Sequence, residues 1–362
     1  MTEGLIIKNY RELCTLLNEE PKTGKSKKCH LADMERYFSY RKDKQKFIIE
    51  EVYEYPRPKI DNRKYGQYIE KLILDLLVLQ QETNNIKSVN FSTCKLLETL
   101  NMINKNYTYG MDHKPQLAYF LKMDKEYVKD FYNLSYSKLV GTLESALKRL
   151  DNKMLILWKK AITIVYREEN TTDKLQYDIH TIADDEDEEI IIQAEKEVAE
   201  SMGYKTRRDI AIHDKWKEFN DKVLDKLKEK ISYEVQYYYR SYKINFNSYV
   251  TQEQKELEML LQQEERIITK NNLNKTLINN YKEHNEIRHE KYLHNKPAIG
   301  IPLHKHEQIK ISQDYIKNND ELIDTLIDEK AKDISQKANL EYIEYKKLIS
   351  EKSDKQLKEL FG

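Results

Sequence analysis

Two clusters of cations are the residues of this 362-residue chain whose types and spacing point to chemistry. Lys25, Lys27, Lys28 and His30 fall within one short stretch, and Arg41, Lys42, Lys44 and Lys46 fall within a second, against the single acid Asp43. Lysine and arginine hold phosphate oxygens through charge-assisted hydrogen bonds. A helix N-terminus adds free backbone N–H groups, and it is the end of a helix that enters a DNA major groove. The chemistry implied is phosphate positioning, with base readout where a side chain reaches a base edge. It makes and breaks no covalent bond. The alternative is a small α+β domain with an ordinary lysine-rich surface.

The elements that must position these cations are legible around them. Asn9 can cap a first helix, with Glu12 three residues on as a capping box requires. Tyr10, Leu13, Leu16 and Leu17 share one helical face, and Asn18 and Pro21 end the helix. A cation-dense turn follows, and Ser26 is placed to cap a second helix whose apolar stripe is Leu31, Met34 and Phe38. Phe38 to Tyr40 and Phe47 to Ile49 then read as two short strands, with Arg41 to Lys46 as the wing between them. This order predicts a winged-helix-like DNA-binding module over 1–54.

The run NYRELCTLLNEEPKTGKSKKCHLADMERYF, followed by KFIIEEVY, resembles an N-terminal module of largely uncharacterised proteins of phages and mobile elements of low-GC Gram-positive bacteria. The resemblance covers about the first sixty residues well and the rest more loosely. It implies a winged-helix-like module and a phage or plasmid setting, and it brings no catalytic residues. Proteins of that setting include replication and transcription factors and counter-defence proteins such as anti-CRISPRs.

Beyond this module, residues 55–66 read as a basic linker, since Pro56 and Pro58 forbid helix. Residues 67–183 read as a helical domain. Helices are expected over Gln67–Gln81 and Phe91–Asn104, the latter capped by Ser92. A loop is expected over Gly110–Pro115, then two short helices to Tyr132 and a strong helix over Ser135–Leu150. The β-branched run from Met154 to Tyr166 and the alternation from Leu175 to Ile182 read as two strands. Helix, helix, strand, turn and strand repeat the first plan, so a second winged-helix-like module is expected within 91–182. Residues 184–250 are expected to be a helical segment opened by the acids Asp184 to Glu189. Its tyrosine-rich end, Tyr233 to Phe246, could stack on unpaired bases through aromatics beside cations. Read as a helix, it is better explained as a core or interface stripe. Residues 251–362 read as long charged helices, the first opened by a capping box of Thr251 and Gln254. Their thin apolar stripes fit packing on a partner or on each other, not a deep core.

Composition narrows the function classes. Lys plus Arg and Asp plus Glu balance at 62 each, so any nucleic-acid surface must be local. Charged residues make up 34% of the chain, with only 8 Gly and 6 Pro, which favours helix over sheet. The three cysteines, Cys14, Cys29 and Cys94, are not spaced as metal pairs and point to a reducing cytosol. Cys14 and Cys29 lie in helical stretches and read as packing residues. No run approaches the roughly 20 apolar residues of a membrane span, and the N-terminus lacks an apolar signal core, so a cytoplasmic protein in a bacterial host is expected. Five histidines gather at His284, His289, His294, His304 and His306, but no pair has the i, i+4 spacing of two ligands on one helical face. Thr23–Ser26 contains Gly-Lys-Ser without the upstream glycine of a P-loop. The expectation is a mainly α protein with small β-hairpins, two winged-helix-like modules and an extended helical C-terminal half. It is expected to be no enzyme and to use no cofactor or metal. Double-stranded DNA is the leading partner. The alternatives are a host protein or nucleoprotein complex bound through the C-terminal half, and self-association into a homo-oligomer.

Overall fold

Local capping signals decide where the first elements start and stop. The computed structural model describes residues 4–55, 65–84, 87–169, 176–213, 215–231, 235–246, 263–294 and 311–361. It is mainly helical, at 63% helix and 17% strand, with small antiparallel sheets. The chain divides into two units, Met1–Arg63 and Lys64–Gly362.

In the first unit, β1 (Ile6–Ile7) leads into α1 (Tyr10–Leu16) and α2 (Gly24–Met34), then β2 (Phe38–Asp43) and β3 (Lys46–Val52). The antiparallel sheet has the order β1-β3-β2. Asn9 Oδ1 accepts from the Glu12 N–H at 3.0 Å, and the Glu12 carboxylate accepts from the Lys8 N–H at 2.9 Å instead of closing back on Asn9. Asn18 ends the helix in the left-handed region at φ 56, where Asn is tolerated, and the Glu19 N–H reaches back to the Cys14 carbonyl at 2.9 Å. Ile7, Tyr10, Leu13, Cys14, Leu31, Met34, Phe38, Phe47 and Ile49 form the core.

Two expectations are corrected here. Cys14 occupies the inward position, and Leu16 is 52% exposed, because Cys14 stands one turn after Tyr10 and α1 is only 7 residues long. The second helix begins at Gly24, two residues before Ser26. Thr23 is its N-cap, without a side-chain bond, and Gly24 turns the chain at φ 56.

The second unit contains α3 (Gly66–Asn84), β4 (Ser88–Ser92), α4 (Thr93–Thr99), α5 (Lys105–Asp112), α6 (Lys114–Phe120) and α7 (Lys125–Asn152). It continues with β5 (Ile156–Glu169), β6 (Gln176–Ile182), α8 (Asp185–Ser201), α9 (Arg207–Ile212), α10 (Trp216–Lys230) and β7 (Val235–Phe246). The last helices are α11 (Gln263–Leu293), α12 (Gln313–Leu326) and α13 (Ser335–Phe361). Its antiparallel sheet runs β4-β7-β5-β6.

The hairpin β5–β6 therefore does not stand as the wing of a module closed within 91–182. Strand β7, from outside that range, pairs along β5, and β4 completes the sheet. The expected helical segment over 184–250 is corrected in the same place, because Val235–Phe246 is a strand. Its Tyr, Val, Ile and Phe residues favour a pleated, half-buried surface, and their burial alternates with period 2 near Tyr242 to Phe246. Gly110–Pro115 is not a loop either. It joins α5 to α6, with Pro115 in the first turn of α6. The tip between β5 and β6, the 251–262 part of the expected long helix, and His304 and His306 lie outside the described residues.

One large apolar cluster unites α3, α4, α5 and α7 with one side of the sheet. Leu273, Leu277 and Tyr281 of α11 and Leu322, Ile323 and Leu326 of α12 belong to it, so these thin-striped helices do enter a deep core. Buried amides do the joining: Asn274 Nδ2 donates to the carbonyls of Asn101 (2.9 Å) and Ile327 (2.7 Å), and Asn106 Nδ2 donates to those of Thr325 (3.1 Å) and Lys332 (2.9 Å). Glu70 accepts from Arg149 Nε at 2.5 Å and Lys153 Nζ at 2.7 Å. Burial pushes its carboxyl up, but Lys153 and Arg149 outweigh burial and hold it below the ordinary 4.5. A second cluster packs α8, α9 and α10 on Ile162, Ile164 and Val235. Among the described residues, no helix is long and apolar enough to cross a membrane.

Two outcomes follow for the second unit. A Cβ at Gly110 would meet Tyr132 Oη at 2.5 Å and Leu117 Cδ2 at 2.6 Å, so Gly110→Ala should lose about 1–3 kcal/mol in urea unfolding. Glu70→Gln should lose about 1–3 kcal/mol near neutral pH. A depressed folded pKa stabilises above the unfolded value and ceases to do so as pH falls through the folded one. The gap from the unmutated protein should therefore shrink below pH 4.5, as unfolding curves across that range would show.

Candidate nucleic-acid interface

Between Lys22 and Lys46 nine cations face three acids, although the whole chain is neutral. Lys28 is exposed on α2, beside the exposed Cys29. Lys27 is half-buried, its ammonium 4.5 Å from the Tyr10 ring centroid. Lys42 is exposed and lies 5.3 Å from the Phe47 ring and 5.8 Å from that of Tyr40. These two cations therefore cover aromatic rings of the core rim as well as carrying charge. Among the described residues, Arg41 makes a long, exposed contact of 3.6 Å with Glu50. Lys44 stands in the hairpin turn at φ 55, and Lys46 pairs in register with Asp43 just behind it. The side chain of Lys25 lies outside the described residues, as do residues 56–64 of the basic linker.

His30 does not join the exposed cations. It is 6% exposed and turned inward, and it contacts two side chains. Its Nε2 meets the Glu19 carboxylate, which can only accept, so Nε2 carries the proton. In the neutral ring Nδ1 is then an acceptor, and the Tyr10 hydroxyl donates to it at 2.7 Å. Tyr10 Oη in turn accepts from the Lys22 N–H at 3.1 Å. Burial pushes the Tyr10 phenol above its ordinary value, so it remains a hydroxyl. This chain fixes the turn before α2 against the helix. The expected phosphate role of His30 is replaced by a structural one that positions Lys27 and Lys28. Sequence reasoning missed Tyr10 and Glu19 as its partners. The only signal was a polar hydroxyl on an apolar helical face.

A β-bulge leaves Glu50 of β3 unpaired opposite Ser39 and Tyr40 of β2, before the cationic tip. Tyr40 Oη donates to Glu35 at 3.0 Å, which ties the hairpin base to the end of α2. The two cationic segments are thus held by one small core.

The other candidate centres are tied to backbone or side-chain partners. His289 Nδ1 donates to the Ile311 carbonyl and His294 Nδ1 to the Glu290 carbonyl, both at 2.7 Å. Among the described residues, no three His, Cys, Asp or Glu side chains gather as metal ligands would. Buried Asp130 accepts from Tyr315 Oη at 2.5 Å with Arg288 at 3.5 Å, which fastens α12 to α7.

No protein-family model matches the chain, and no curated protein or solved structure shows significant similarity to it.

The placement of the thiols gives a direct check on this geometry. Cys29 is exposed, Cys14 is buried, and burial pushes the Cys94 thiol up to about 11. Maleimide at neutral pH should label Cys29 first and leave Cys14 and Cys94 unmodified until the protein is unfolded, as mass spectrometry of timed samples would record.

Proposed function

We propose that this chain is a DNA-binding protein of a phage or mobile element, acting in replication initiation or transcriptional control in the cytoplasm of a bacterial host. The observation that carries this reading is the juxtaposition in the first unit. Exposed Lys28 stands on α2, exposed Arg41, Lys42, Lys44 and Lys46 stand on the β2–β3 hairpin, and one core holds both. Strand, helix, helix and hairpin, with β1 paired to β3, fit a winged-helix plan. In that plan α2 enters the major groove, and the hairpin reaches a flanking phosphate or groove. The role is one of binding and positioning, not of catalysis. The phage setting comes from the sequence resemblance of the first sixty residues.

A second reading is favoured by one observation in the C-terminal half. Leu340, Ile343, Leu348 and Ile349 of α13 are 62%, 44%, 56% and 41% exposed. Apolar side chains left exposed along one helix fit a protein partner, as a host-directed inhibitor of the anti-CRISPR kind would need, or a second copy of the chain.

The test is a fluorescence-anisotropy titration of duplex DNA with the full chain across a salt series. Micromolar or tighter binding at low salt, weakening steeply as salt rises, is expected. Lys28→Glu with Lys44→Glu should weaken it by roughly tenfold or more and lower the salt slope by about two, because neither side chain covers a ring. Absence of binding at low salt by the unmutated protein would overturn the reading.

A further inference from the structure

In the second unit, strand β7 sorts a tyrosine-rich run onto two faces of the sheet. Tyr238, Arg240, Tyr242, Ile244 and Phe246 share the side that packs on the helices. Tyr237, Tyr239, Ser241, Lys243 and Asn245 share the other. Register extends that second face across the sheet. Thr163 pairs with Tyr239, Val165 with both Tyr237 and His180, Lys159 with Lys243, and Asn90 with Lys243.

The two faces differ in chemistry. The inner one supplies every sheet residue of the apolar clusters, and its cations and hydroxyls are matched by carboxylates. Glu195 accepts from Arg240 at 2.6 Å and Tyr238 at 3.0 Å, and Glu144 accepts from Lys160 at 2.7 Å and Tyr242 at 2.9 Å. The outer face contributes to none of the clusters. Its floor holds the small polar groups of Asn90, Thr163 and Ser241 beside buried Ala161 and Val165: Asn90 Nδ2 donates to Thr163 Oγ1 at 2.9 Å, and Thr163 and Ser241 hydroxyls lie 2.8 Å apart.

Three rings stand above the floor. His180 lies 6.4 Å from Tyr237 and 6.0 Å from Tyr239, and the two tyrosines are 6.4 Å apart at 30°. The His180 ring is within 3.3 Å of Tyr239 Oη, which steadies Tyr239, while Tyr237 is 43% exposed. Further along the same face come Lys243, exposed Lys159 and Leu157, the last 69% exposed. Its one described carboxylate, Asp178, already pairs with Arg167 at 3.2 Å. Lys159 and Lys243 have no carboxylate partner among the described residues. Aromatic rings therefore precede cations along a strand, over about 20 Å at the rise of a β-strand.

We propose that this outer sheet face binds single-stranded DNA, stacking bases on Tyr237 and Tyr239 while Lys159 and Lys243 hold the phosphates. Aromatic stacking tolerates any base, and cations beside it follow the backbone, which is the general chemistry of unpaired-strand recognition. Duplex DNA presents no free base faces to such a platform. The choice of DNA over RNA rests on the duplex reading of the first unit; the platform itself does not depend on that reading.

The experiment titrates labelled oligo-dT, and oligo-U in a parallel arm, each roughly 12 nucleotides long, with the full chain at low salt. Tyr237→Ala should weaken oligo-dT binding about tenfold, Tyr237→Phe should retain it, and Lys159→Glu with Lys243→Glu should lower the salt slope by about two. Duplex binding should be unchanged in all three, and Lys28→Glu with Lys44→Glu should leave oligo-dT binding intact, so each surface fails independently. Tyr237 is exposed, and an unaltered melting temperature confirms that its variants fold. No binding of oligo-dT, equal binding by Tyr237→Ala, loss of binding in the Lys28/Lys44 variant, or binding of oligo-U alone would overturn the proposal.

Discussion

The second unit depends on the insertion of β7 between β4 and β5. Its pairs run from Ile156↔Phe246 to Tyr166↔Val235 along β5, and from Ser88↔Asn245 to Ser92↔Ser241 along β4. Without β7, β4 would have no partner and β5 would hold only β6. The same strand delivers Tyr242, Ile244 and Phe246 to the large cluster and Val235 to the smaller one. It therefore ties the helices before the sheet to those between β6 and β7. Because side chains alternate on a strand, β7 also separates charges: carboxylate-matched groups turn to the helices, and Lys243 and Tyr237 turn away.

The first unit rests on a different constraint. A core of nine buried residues is small, and each fully buried side chain contributes about 1.5–3 kcal/mol against a large ordering cost. The chain of hydrogen bonds from the Lys22 N–H through Tyr10 and His30 to Glu19 supplements it. Three of these partners lie on the turn and one helix, and the fourth lies on the other helix, so the angle between α1 and α2 is set by side chains as well as by apolar packing. That angle determines where Lys27 and Lys28 stand relative to the hairpin.

Features governed by neighbours in sequence were legible before the structure. The Asn9 cap, the left-handed stop at Asn18, the Ser92 cap and the β2–β3 hairpin all follow from local side-chain and backbone chemistry. Features governed by distant contacts were not. Tyr233 to Phe246 carries both helical and alternating patterns, and distant strands β4 and β5 make Val235–Phe246 a strand. His30 looked like a groove-facing cation because its partners Tyr10 and Glu19 lie on another element. Asn106 and Asn274 carried no signal in the sequence, yet they donate to buried carbonyls of other segments. Of the candidate interface, the exposed Lys28, Arg41, Lys42, Lys44 and Lys46 were readable from charge and turn signals. The ring-covering part played by Lys27 and Lys42 required the tertiary structure.

The most direct measurement is the alkylation rate of Cys29 in the full chain, with and without saturating duplex DNA. Cys29 is exposed on α2 next to Lys28, where docking would bury it. The account predicts at least a roughly tenfold slowing by duplex, reversed as salt releases the DNA. An unchanged Cys29 rate under conditions where anisotropy shows the duplex fully bound would contradict it.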